Sequence, residues 1–393
     1  MAKLIDITGK CISGEWGLDD NDGTGIPVLR TTNFTNEGII NYNNIVTRQI
    51  NKAKLDNKYL KHGDIIIEKS GGSDNQPVGR VVYFEGEENK YLFNNFTGLL
   101  RVSNKSKWFP KYVFYTLFSN YQKGGTRAFE NKTTGLHNLK TDSYVSYVEI
   151  KEVSFEEQEE IAQNLDKVIK LISLRKQQLS KLDELVKSRF IEMFGDPIFN
   201  EKRWLTDSVE NVCSDIYGGG TPSKAHPEYY ENGDIPWVSS KDMKSSILYD
   251  SQIRINQLGV DNSTAKIVPI NSVIMVIRSG ILKHTLPVAI NAVPITVNQD
   301  LKVFVPSQRI TSLFLMYLFK MLEKDILSGV RAVTADNIEF NSLKERMIIV
   351  PPMELQEQFA SFVEQIDKSK FEIQKSLEKL ETLKKALMQK YFG

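Results

Sequence analysis

Residues 154–195, SFEEQEEIAQNLDKVIKLISLRKQQLSKLDELVKSRFIEMFG, return at the end of the chain as residues 352–393, PMELQEQFASFVEQIDKSKFEIQKSLEKLETLKKALMQKYFG. The offset between the two copies is constant at 198 positions, the difference between 352 and 154, so that Gln158 matches Gln356 and both copies end in Phe-Gly. A repeat of this length indicates a chain built from two similar halves, each of which ends in the same element.

Both copies carry a heptad pattern, because their apolar residues recur in alternating steps of four and three. The seam positions are Ile161, Leu165, Val168, Ile172, Leu179, Leu182 and Val186 in the first copy and Phe359, Val363, Ile366, Ile373, Leu377, Leu380 and Leu387 in the second. No proline or glycine interrupts either copy before its last residue. Each copy therefore predicts a helix of about 40 residues, or roughly 60 Å at ~1.5 Å per residue.

A long amphipathic helix must bury its apolar stripe, and the matching stripe in this sequence is the other copy. Polar residues in one seam correspond to apolar residues in the other, as Arg175 does to Ile373 and Lys370 to Ile172. These complementary substitutions favour an antiparallel coiled coil within one chain. An alternative stays open, in which each helix pairs with a second chain and serves as a dimerisation helix.

The remaining sequence predicts two similar globular domains of the α/β (α+β) class. The paired helices are expected to separate and join the two domains, which are related by a pseudo-two-fold axis. Residues 26–28, IPV, match residues 235–237, IPW, and residues 64–71, DIIIEKSG, match residues 273–280, VIMVIRSG, both at an offset of 209. The predicted ranges are 1–153 for the first domain, 154–195 for the central helix, 196–351 for the second domain and 352–393 for the C-terminal helix.

Composition sets limits on the class of protein. The 393 residues are 41% hydrophobic and 25% charged, which lets each half bury a core of its own. Two cysteines in such a long chain suggest a reducing compartment, so the cytoplasm is predicted, and no apolar run is long enough to span a membrane. A net charge of +1 argues against nucleic-acid binding by bulk charge alone but allows local basic patches.

Three motifs stand in a fixed order along the chain: GGTPSK at residues 219–224, IPWV at 235–238 and PPMELQEQFA at 351–360. Together with the two-copy layout, they resemble the specificity subunit of type I restriction-modification enzymes over essentially the whole chain. The sequence departs from the pattern before the first long helix, where Val153-Ser154 replaces the pair Pro351-Pro352. The resemblance implies two target recognition domains that bind the two parts of a split sequence in double-stranded DNA.

The resemblance also implies partner subunits that perform the chemistry. These are two modification subunits, which carry S-adenosylmethionine and methylate adenine, and two ATP-driven restriction subunits, so that S-adenosylmethionine, ATP and Mg²⁺ are expected on the partners and no cofactor on this chain. Positions near Gln158, Glu159, Gln356 and Glu357 are expected to be exposed and to form part of the partner interface. The helix length limits the gap between the two half-sites to about 18 base pairs.

Readout of a DNA sequence needs donors and acceptors on short loops, with glycine where the backbone approaches a phosphate. The predicted DNA-binding residues are Arg30, Thr31, Thr32 and Asn33; Lys69, Ser70, Gly71, Gly72 and Ser73; Arg127; Thr221, Ser223 and Lys224; Ser239 and Lys241; Arg278, Ser279 and Gly280; and Arg331. The pair Asn94-Asn95 and the pair Lys283-His284 are weaker candidates. For each loop an alternative stays open: a surface cation, a polar turn after a buried strand, or a turn that shapes the domain.

Catalytic patterns do not emerge from the sequence, and no metal site is predicted. Asp64 with Glu68 and Lys69 resembles the acidic pair and lysine of a metal-dependent nuclease, but the spacing is one residue short, and a strand with a solvated end is the favoured interpretation. Surface or core roles are predicted for the four histidines, none of which pairs with an acidic cluster. Two alternative functions stay open, a coiled-coil scaffold that binds two proteins and a stand-alone restriction enzyme.

Overall fold

The computed structural model describes residues 1–50, 55–131, 136–329, 331–332 and 336–393. These residues form two compact units. Unit 1 consists of Met1–Arg175 with Ser376–Gly393, and unit 2 consists of Lys176–Lys375.

Unit 1 combines short strands with helices. Its strands are β1 (Ala2–Lys3), β2 (Ile12–Ser13), β3 (Leu18–Asp19), β4 (Ile26–Leu29), β5 (Val46–Gln49), β6 (Ile65–Glu68), β7 (Ser70–Gly72), β8 (Val81–Tyr83), β9 (Leu92–Phe93), β10 (Thr97–Leu100), β11 (Glu130–Asn131), β12 (His137–Leu139) and β13 (Glu149–Ile150). Its helices are α1 (Leu4–Thr8), α2 (Pro110–Gln122), α3 (Thr141–Tyr147) and the first part of α4 (Phe155–Phe194).

The central strand of unit 1 is β6, in an antiparallel sheet with the order β2-β10-β6-β8. Successive side chains of a strand point to opposite faces. Ile65 and Ile67 accordingly pack in the core beneath α2, whereas Ile66 packs in a second core with Phe84 and Phe93. Burial on both faces explains why the strand is a continuous apolar run. A second sheet has the order β3-β5-β4-β9, in which β4 and β9 run parallel.

Unit 2 repeats this pattern of elements. Its strands are β14 (Thr206–Ser208), β15 (Cys213–Gly218), β16 (Ile235–Val238), β17 (Ile247–Leu248), β18 (Arg254–Ile255), β19 (Val273–Val276), β20 (Val288–Asn291), β21 (Thr296–Val297), β22 (Leu301–Pro306), β23 (Arg331–Ala332), β24 (Asp336–Asn337) and β25 (Met347–Ile349). Its helices are α5 (Val209–Val212), α6 (Gln257–Asp261), α7 (Ser312–Met321), α8 (Glu323–Ser328), α9 (Phe340–Glu345) and the first part of α10 (Met353–Phe392).

The sheets of unit 2 follow the plan of unit 1. The main sheet has the order β15-β22-β19-β20-β17, and a second sheet, β18-β16-β21, contains the parallel pair β16 and β21. All four residues of the central strand β19 are buried. The prediction that the two halves share one fold, with helices and strands mixed in each, is confirmed.

The residue-by-residue match of the two central strands differs from the prediction. Glu68 pairs with Thr97 in β10, and Val276 pairs with Leu301 at the equivalent place in β22. The carbonyl of Lys69 accepts from the amide of Leu139, and the carbonyl of Ile277 accepts from the amide of Ile338. The offset here is therefore 208, the difference between 277 and 69, and Lys69 is equivalent to Ile277.

The predicted equivalence of Lys69 with Arg278 is thus wrong by one residue, and Arg278 takes the backbone position of Ser70. Along an extended chain a slip of one residue turns a side chain to the opposite face. The two cations therefore leave the central strands in different directions. By the same register, the counterparts of Asp64 and Glu68 are Ser272 and Val276 rather than Val273 and Ile277.

The long helices α4 and α10 run antiparallel. Within unit 2, Asp183 forms an ion pair with Lys370 at 2.5 Å, and the ring of Phe190 lies 5.5 Å from that of Phe359. Residue numbers thus rise along α4 as they fall along α10. Within unit 1, Ile161 and Leu165 share a core with Leu387, Tyr391 and Phe392. The predicted antiparallel coiled coil is confirmed. None of the described helices combines the length and apolar character needed to cross a membrane.

Candidate nucleic-acid interface

In unit 1 the candidate DNA-binding loops meet around the turn formed by residues 94–96, between β9 and β10. The amide of Asn94 donates to the carbonyl of Leu29 at 2.9 Å, at the end of β4. The carbonyl of Phe96 accepts from the amides of Lys69 and Ser70 at 2.8 and 3.2 Å, just beyond β6. The loop that begins at Arg30 and the segment that begins at Lys69, which are about 40 residues apart in sequence, therefore lie side by side.

The loop after β4 is fixed from within by Asn33. This side chain is only 2% exposed; it accepts from the amide of Arg30 at 3.0 Å and donates to the carbonyls of Asn41 and Asn43. Both of its amide hydrogens, and one acceptor site of its oxygen, are used inside the loop. The prediction that Asn33 offers its amide to a base edge is therefore wrong, whereas Thr32 is exposed and stays a candidate contact.

The segment after β6 is less loop-like than predicted. Ser70–Gly72 forms strand β7, which pairs with β12, and the amide of Ser73 donates to the carbonyl of Gln76 at 2.7 Å. The backbone amides of Lys69, Ser70 and Ser73, three of the predicted DNA-binding residues, are thus already hydrogen-bonded. The Lys69 ammonium donates to Ser13 Oγ at 3.0 Å. This bond is made to a hydroxyl and not to a carboxylate, so the positive charge of Lys69 is suited to a phosphate.

Two carboxylates, one at the end of β6 and one just before it, are buried and ion-paired. The prediction that this strand has a solvated end is therefore wrong. Glu68 and Asp64 are each 1% exposed. Arg80 binds Glu68 at 2.8 Å, and Arg101 binds Asp64 at 2.7 Å. The hydrogen bonds that the Arg80 guanidinium donates to Glu68 raise the pKa of Arg80. Within the described residues, no group of three or more His, Cys, Asp or Glu side chains is placed to hold a metal ion.

Arg80 also supports the loop after β4. Its guanidinium donates to the carbonyls of Thr31 and Phe34 at 3.3 and 3.2 Å while it pairs with Glu68. One buried side chain therefore connects the central strand to the candidate contact Thr32. No sequence pattern predicts this role, because Arg80 and Thr31 are brought together only by the fold.

In unit 2 the equivalent turn is formed by residues 298–300, between β21 and β22. The amide of Asn298 donates to the carbonyl of Val238 at 3.0 Å, next to Ser239. The carbonyl of Asp300 accepts from the amides of Ile277 and Arg278 at 2.9 and 3.3 Å. Thr221 donates through its hydroxyl to the side chain of Gln299. Three predicted segments, which begin at Thr221, Ser239 and Arg278, are thus brought together.

Arg278 is the most accessible charged group beside this turn. Its side chain is 48% exposed and forms an ion pair with Asp300 at 2.6 Å. An exposed ion pair contributes little to stability, so the guanidinium can exchange its partner for a phosphate or a base at small cost. Ser279 accepts at its hydroxyl from the amide of Ile281, and Gly280 is exposed with open space around it.

Ser239 is less available than Arg278. Both its amide and its hydroxyl donate to Asp242 Oδ2, at 2.9 and 2.8 Å, as expected of a polar turn after a buried strand. Lys241 beside it is exposed and stays a candidate contact.

The glycines of the GGTPSK motif are required by close packing. A Cβ atom on Gly219 would overlap the carbonyl oxygen of Val297, and one on Gly220 would overlap the backbone of Thr264. Trp237 donates from its indole to the carbonyl of Gly220 at 2.9 Å. The motif therefore shapes the domain at its glycines. Its exposed residues, Thr221, Ser223 and Lys224, stay candidates for DNA contact.

The remaining predicted residues have mixed positions. Arg127 is exposed and donates to the carbonyl of Asp74 at 3.4 Å. Arg331 falls in β23, but its side chain lies outside the described residues. His137 corrects the prediction for the histidines, since it is 5% exposed and bonds to Glu130 at 2.9 Å.

The glutamines at the start of the long helices are buried, which contradicts the prediction that they are exposed partner contacts. Gln158 and Gln356 are 1% and 0% exposed. In unit 1, Gln158 accepts from the amide of Phe109 at 2.9 Å and donates to the carbonyls of Lys107 and Val153. Phe109 is the residue before α2, so the glutamine joins α4 to the globular part. Of the other two positions, Glu159 is half-buried and Glu357 is exposed.

A family model for the type I restriction modification DNA specificity domain matches residues 1–184 and again residues 202–385. The chain belongs to this family. The two matched segments cover nearly the whole sequence and fall on the two halves of the repeat. The resemblance to specificity subunits is thus confirmed.

Two relatives are specificity subunits of named type I restriction enzymes. The specificity subunit of EcoR124I/EcoR124II from Escherichia coli is 30% identical over 275 residues, which span 67% of this chain and 64% of that protein. The MjaIX specificity subunit from Methanocaldococcus jannaschii is 25% identical over 350 residues, which span 84% of this chain and 74% of that protein.

Solved structures show the same fold. The S subunit of a type I restriction-modification system from M. genitalium superposes with a TM-score of 0.62 at 14% identity, covering 100% of this chain and 95% of that one. A second solved chain, from work on the complex assembly and conformational transition of the type I R-M system, superposes with a TM-score of 0.58 at 17% identity. The match covers 100% of this chain and 96% of that one.

Proposed function

We propose that this chain is the DNA specificity subunit of a type I restriction-modification complex. In this proposal each unit binds one part of a split target in double-stranded DNA, and the chain directs adenine methylation and restriction by partner subunits without catalytic groups of its own. Membership of the family supports the proposal. The spacing of the two half-sites follows from the lengths of α4 and α10.

The single observation that carries the proposal is the equivalence of the two turns, residues 94–96 and 298–300. Each turn gathers the candidate DNA-binding loops of its own unit, although the loops differ in sequence. One scaffold with two sets of exposed side chains suits a protein that recognises two different half-sites.

The exposed groups at these turns match the chemistry of duplex DNA. Half-buried Lys69 and exposed Arg278 carry positive charges that suit phosphates or guanine edges, and Thr32 has a hydroxyl that suits a base edge. With a net charge of only +1, the chain has no bulk positive field, so these local cations supply the electrostatic attraction. We therefore expect binding to weaken as salt rises, with a slope set by a small number of phosphate contacts.

Partner subunits supply the chemistry in this proposal: two modification subunits with S-adenosylmethionine, and two restriction subunits with ATP and Mg²⁺. The complex acts in the cytoplasm. Exposed apolar side chains on the long helices support a docking surface. In unit 1, Leu171 and Leu174 are each 45% exposed and one helical turn apart; in unit 2, Phe371 is 67% exposed. Apolar groups left in water at such positions are typical of protein interfaces. We assign the partner surface to these residues together with Glu357, in place of Gln158 and Gln356.

Selection from random duplexes tests the proposal. The purified chain, alone and with a methyltransferase partner, is incubated with a pool of random double-stranded DNA, and the bound fraction is sequenced. The proposal predicts enrichment of two short sequences separated by a gap of fixed length. Absence of enrichment in the presence of the partner would contradict it and would favour a scaffold that binds proteins only.

A further inference from the structure

We infer that positions 96 and 300 are equivalent specificity-determining positions, each of which selects bases in the half-site of its own unit. Phe96 and Asp300 lie at the tips of the two equivalent turns and have opposite chemistry. The inference rests on the proposed DNA-binding function and adds to it the residues that distinguish one half-site from the other.

The backbones of the two turns are held in the same way. The carbonyl of Phe96 accepts from two successive amides at the end of the central strand, and the carbonyl of Asp300 accepts from the two equivalent amides. Each turn also begins with an asparagine whose amide donates to the last residue of the neighbouring strand, β4 or β16. Positions 96 and 300 thus have the same backbone environment, which the sequence alignment at an offset of 209 conceals.

The scaffold beneath each tip is rigid. Asn94 and Asn298 are 4% and 7% exposed, and their side chains accept from the Thr97 hydroxyl at 3.1 Å and the Asp300 amide at 3.2 Å. A glycine of the adjoining strand end packs directly against each turn, since a Cβ on Gly14 would overlap the carbonyl of Asn94. Gly219 takes this place in unit 2. A rigid support is what a readout side chain needs, because it fixes the position of the contacting atoms.

The side chains at the two tips differ, in contrast to the scaffold. Phe96 is 51% exposed, so part of its ring is open to a ligand. Asp300 carries a carboxylate that accepts from Arg278 at 2.6 Å and from Asn298 Nδ2 at 3.1 Å. The Asp300 side chain is 26% exposed. Accessible residues that differ on a shared scaffold are the expected location of differing specificity.

Each tip suits a different base pair. An apolar ring in the major groove contacts the C5 methyl group of thymine. A carboxylate accepts from the N4 amino group of cytosine, and an arginine beside it donates to the O6 and N7 of guanine. Asp300 with Arg278 is therefore suited to one G·C pair and Phe96 to an A·T pair. The same chemistry explains why the two half-sites need not be alike.

The test compares half-site preferences of four variants in the complex with the methyltransferase partner. Phe96→Ala and Phe96→Leu change the tip of unit 1, and Asp300→Ala and Asp300→Asn change that of unit 2. Tyr147→Ala and Tyr249→Ala are controls, because these tyrosines are 73% and 67% exposed in units 1 and 2 but lie outside the turns. Each variant selects from the same pool of random duplexes, and thermal melting verifies that it is folded.

We expect the Phe96 variants to lose about 10- to 100-fold of the preference at one or two adjacent pairs of one half-site only, and the Asp300 variants to do so in the other half-site only. The tyrosine controls keep the wild-type preference. Selection of unchanged sequences by folded Phe96 and Asp300 variants would overturn the inference while leaving the proposed function intact. If the wild-type complex itself selects no split sequence, the proposed function fails as well.

Discussion

Two units with one backbone plan use different chemistry at single buried positions. In unit 1, Glu68 is the last residue of β6, and Arg80 directly precedes the neighbouring strand β8. Their side chains form an ion pair that is largely shielded from water. The amide of Glu68 donates to the carbonyl of Arg80, and in unit 2 the amide of Val276 donates to the carbonyl of Pro287. Val276 and Pro287 are therefore the equivalents of Glu68 and Arg80. The fold therefore accepts either an ion pair or apolar side chains at this site. Removing one partner of a buried ion pair is strongly destabilising because it leaves an uncompensated charge, whereas replacing both partners by apolar side chains is often tolerated.

Arg80→Met is expected to lower the free energy of unfolding by about 3–5 kcal/mol, because it leaves the Glu68 carboxylate buried and unpaired. The double variant Glu68→Val with Arg80→Met, which copies the apolar solution of unit 2, is expected to recover much of this loss. Urea unfolding curves measure both. Equal stability of the single and double variants would show that the carboxylate does not need its partner.

Lys320 of α7 is a half-buried cation, and its ammonium donates to the hydroxyl of Ser246 at 2.6 Å rather than to a carboxylate. The pKa of Lys320 is lowered to about 8, mainly by burial and also by the positive charge of Lys370, while Asp183 and Asp367 oppose the shift. The unfolded chain holds this proton up to a pH of about 10.5. Between pH 8 and 10.5 the unfolded state binds more protons than the folded state, so this group makes stability rise with pH.

Lys320→Met is therefore expected to stabilise the protein at pH 7, by about 1–3 kcal/mol, because it removes the cost of a buried charge. The gain should shrink as pH rises from 8 towards 10.5, where the lysine becomes neutral in the unfolded state too. Thermal unfolding across this range, with the exposed Lys241→Met as control, measures the difference. A gain that stays constant with pH would contradict the lowered pKa.

At the scale of elements, the same hydrogen bonds attach each long helix to its globular part. Gln356 accepts from the amide of Thr311 at 2.8 Å and donates to the carbonyls of Arg309 and Pro351, as Gln158 does with its own neighbours. Thr311 precedes α7 just as Phe109 precedes α2. The repeated glutamine therefore has a structural role, to fix the start of the long helix against the N-terminus of the domain helix.

Gln356→Leu is expected to destabilise unit 2 by about 2 kcal/mol or more, because it leaves a buried amide and two carbonyls without partners. Gln358→Leu is the matched control, since residue 358 is exposed two positions further along α10. The midpoint of urea unfolding measures both variants. Equal midpoints would show that the buried network contributes nothing to stability.

The elements that the sequence predicted best are those with a strong period. The heptad pattern was sufficient to predict α4, α10 and their antiparallel pairing, because the apolar stripe of each helix has one matching surface. The register of β6 against β19 was not predictable, because DIIIEKSG and VIMVIRSG match better as text at the wrong offset of 209 than at the structural offset of 208. The burial of Glu68 depends on Arg80, and that of Asp64 on Arg101, which are contacts between strands that no local pattern reveals.

Residues of the candidate interface were predicted in part. Polar loops after buried strands were found because glycine and serine follow apolar runs, and these loops do meet around the two turns. Phe96 was missed because an aromatic residue in a polar loop carries no signal until its exposure is known. Asn33, Gln158 and Gln356 were misassigned for the opposite reason, since a polar side chain in the sequence does not reveal that backbone groups around it need a partner.

For the whole molecule, we propose that the lengths of α4 and α10 set the distance between the two proposed DNA-binding surfaces. An insertion that preserves the heptad seam adds seven residues, or roughly 10.5 Å of helix. Along duplex DNA this corresponds to about three base pairs. Such an insertion must be made in both helices, after Arg175 and after Lys375, because the helices are antiparallel partners.

The most direct measurement is the spacer selected from random duplexes by the wild-type complex and by this double-insertion variant. We expect the wild-type complex and the variant to select the same two half-sites, and the variant to select a gap that is longer by about three base pairs. An unchanged gap in a folded variant, or a wild-type complex that selects a single continuous sequence, would contradict this expectation.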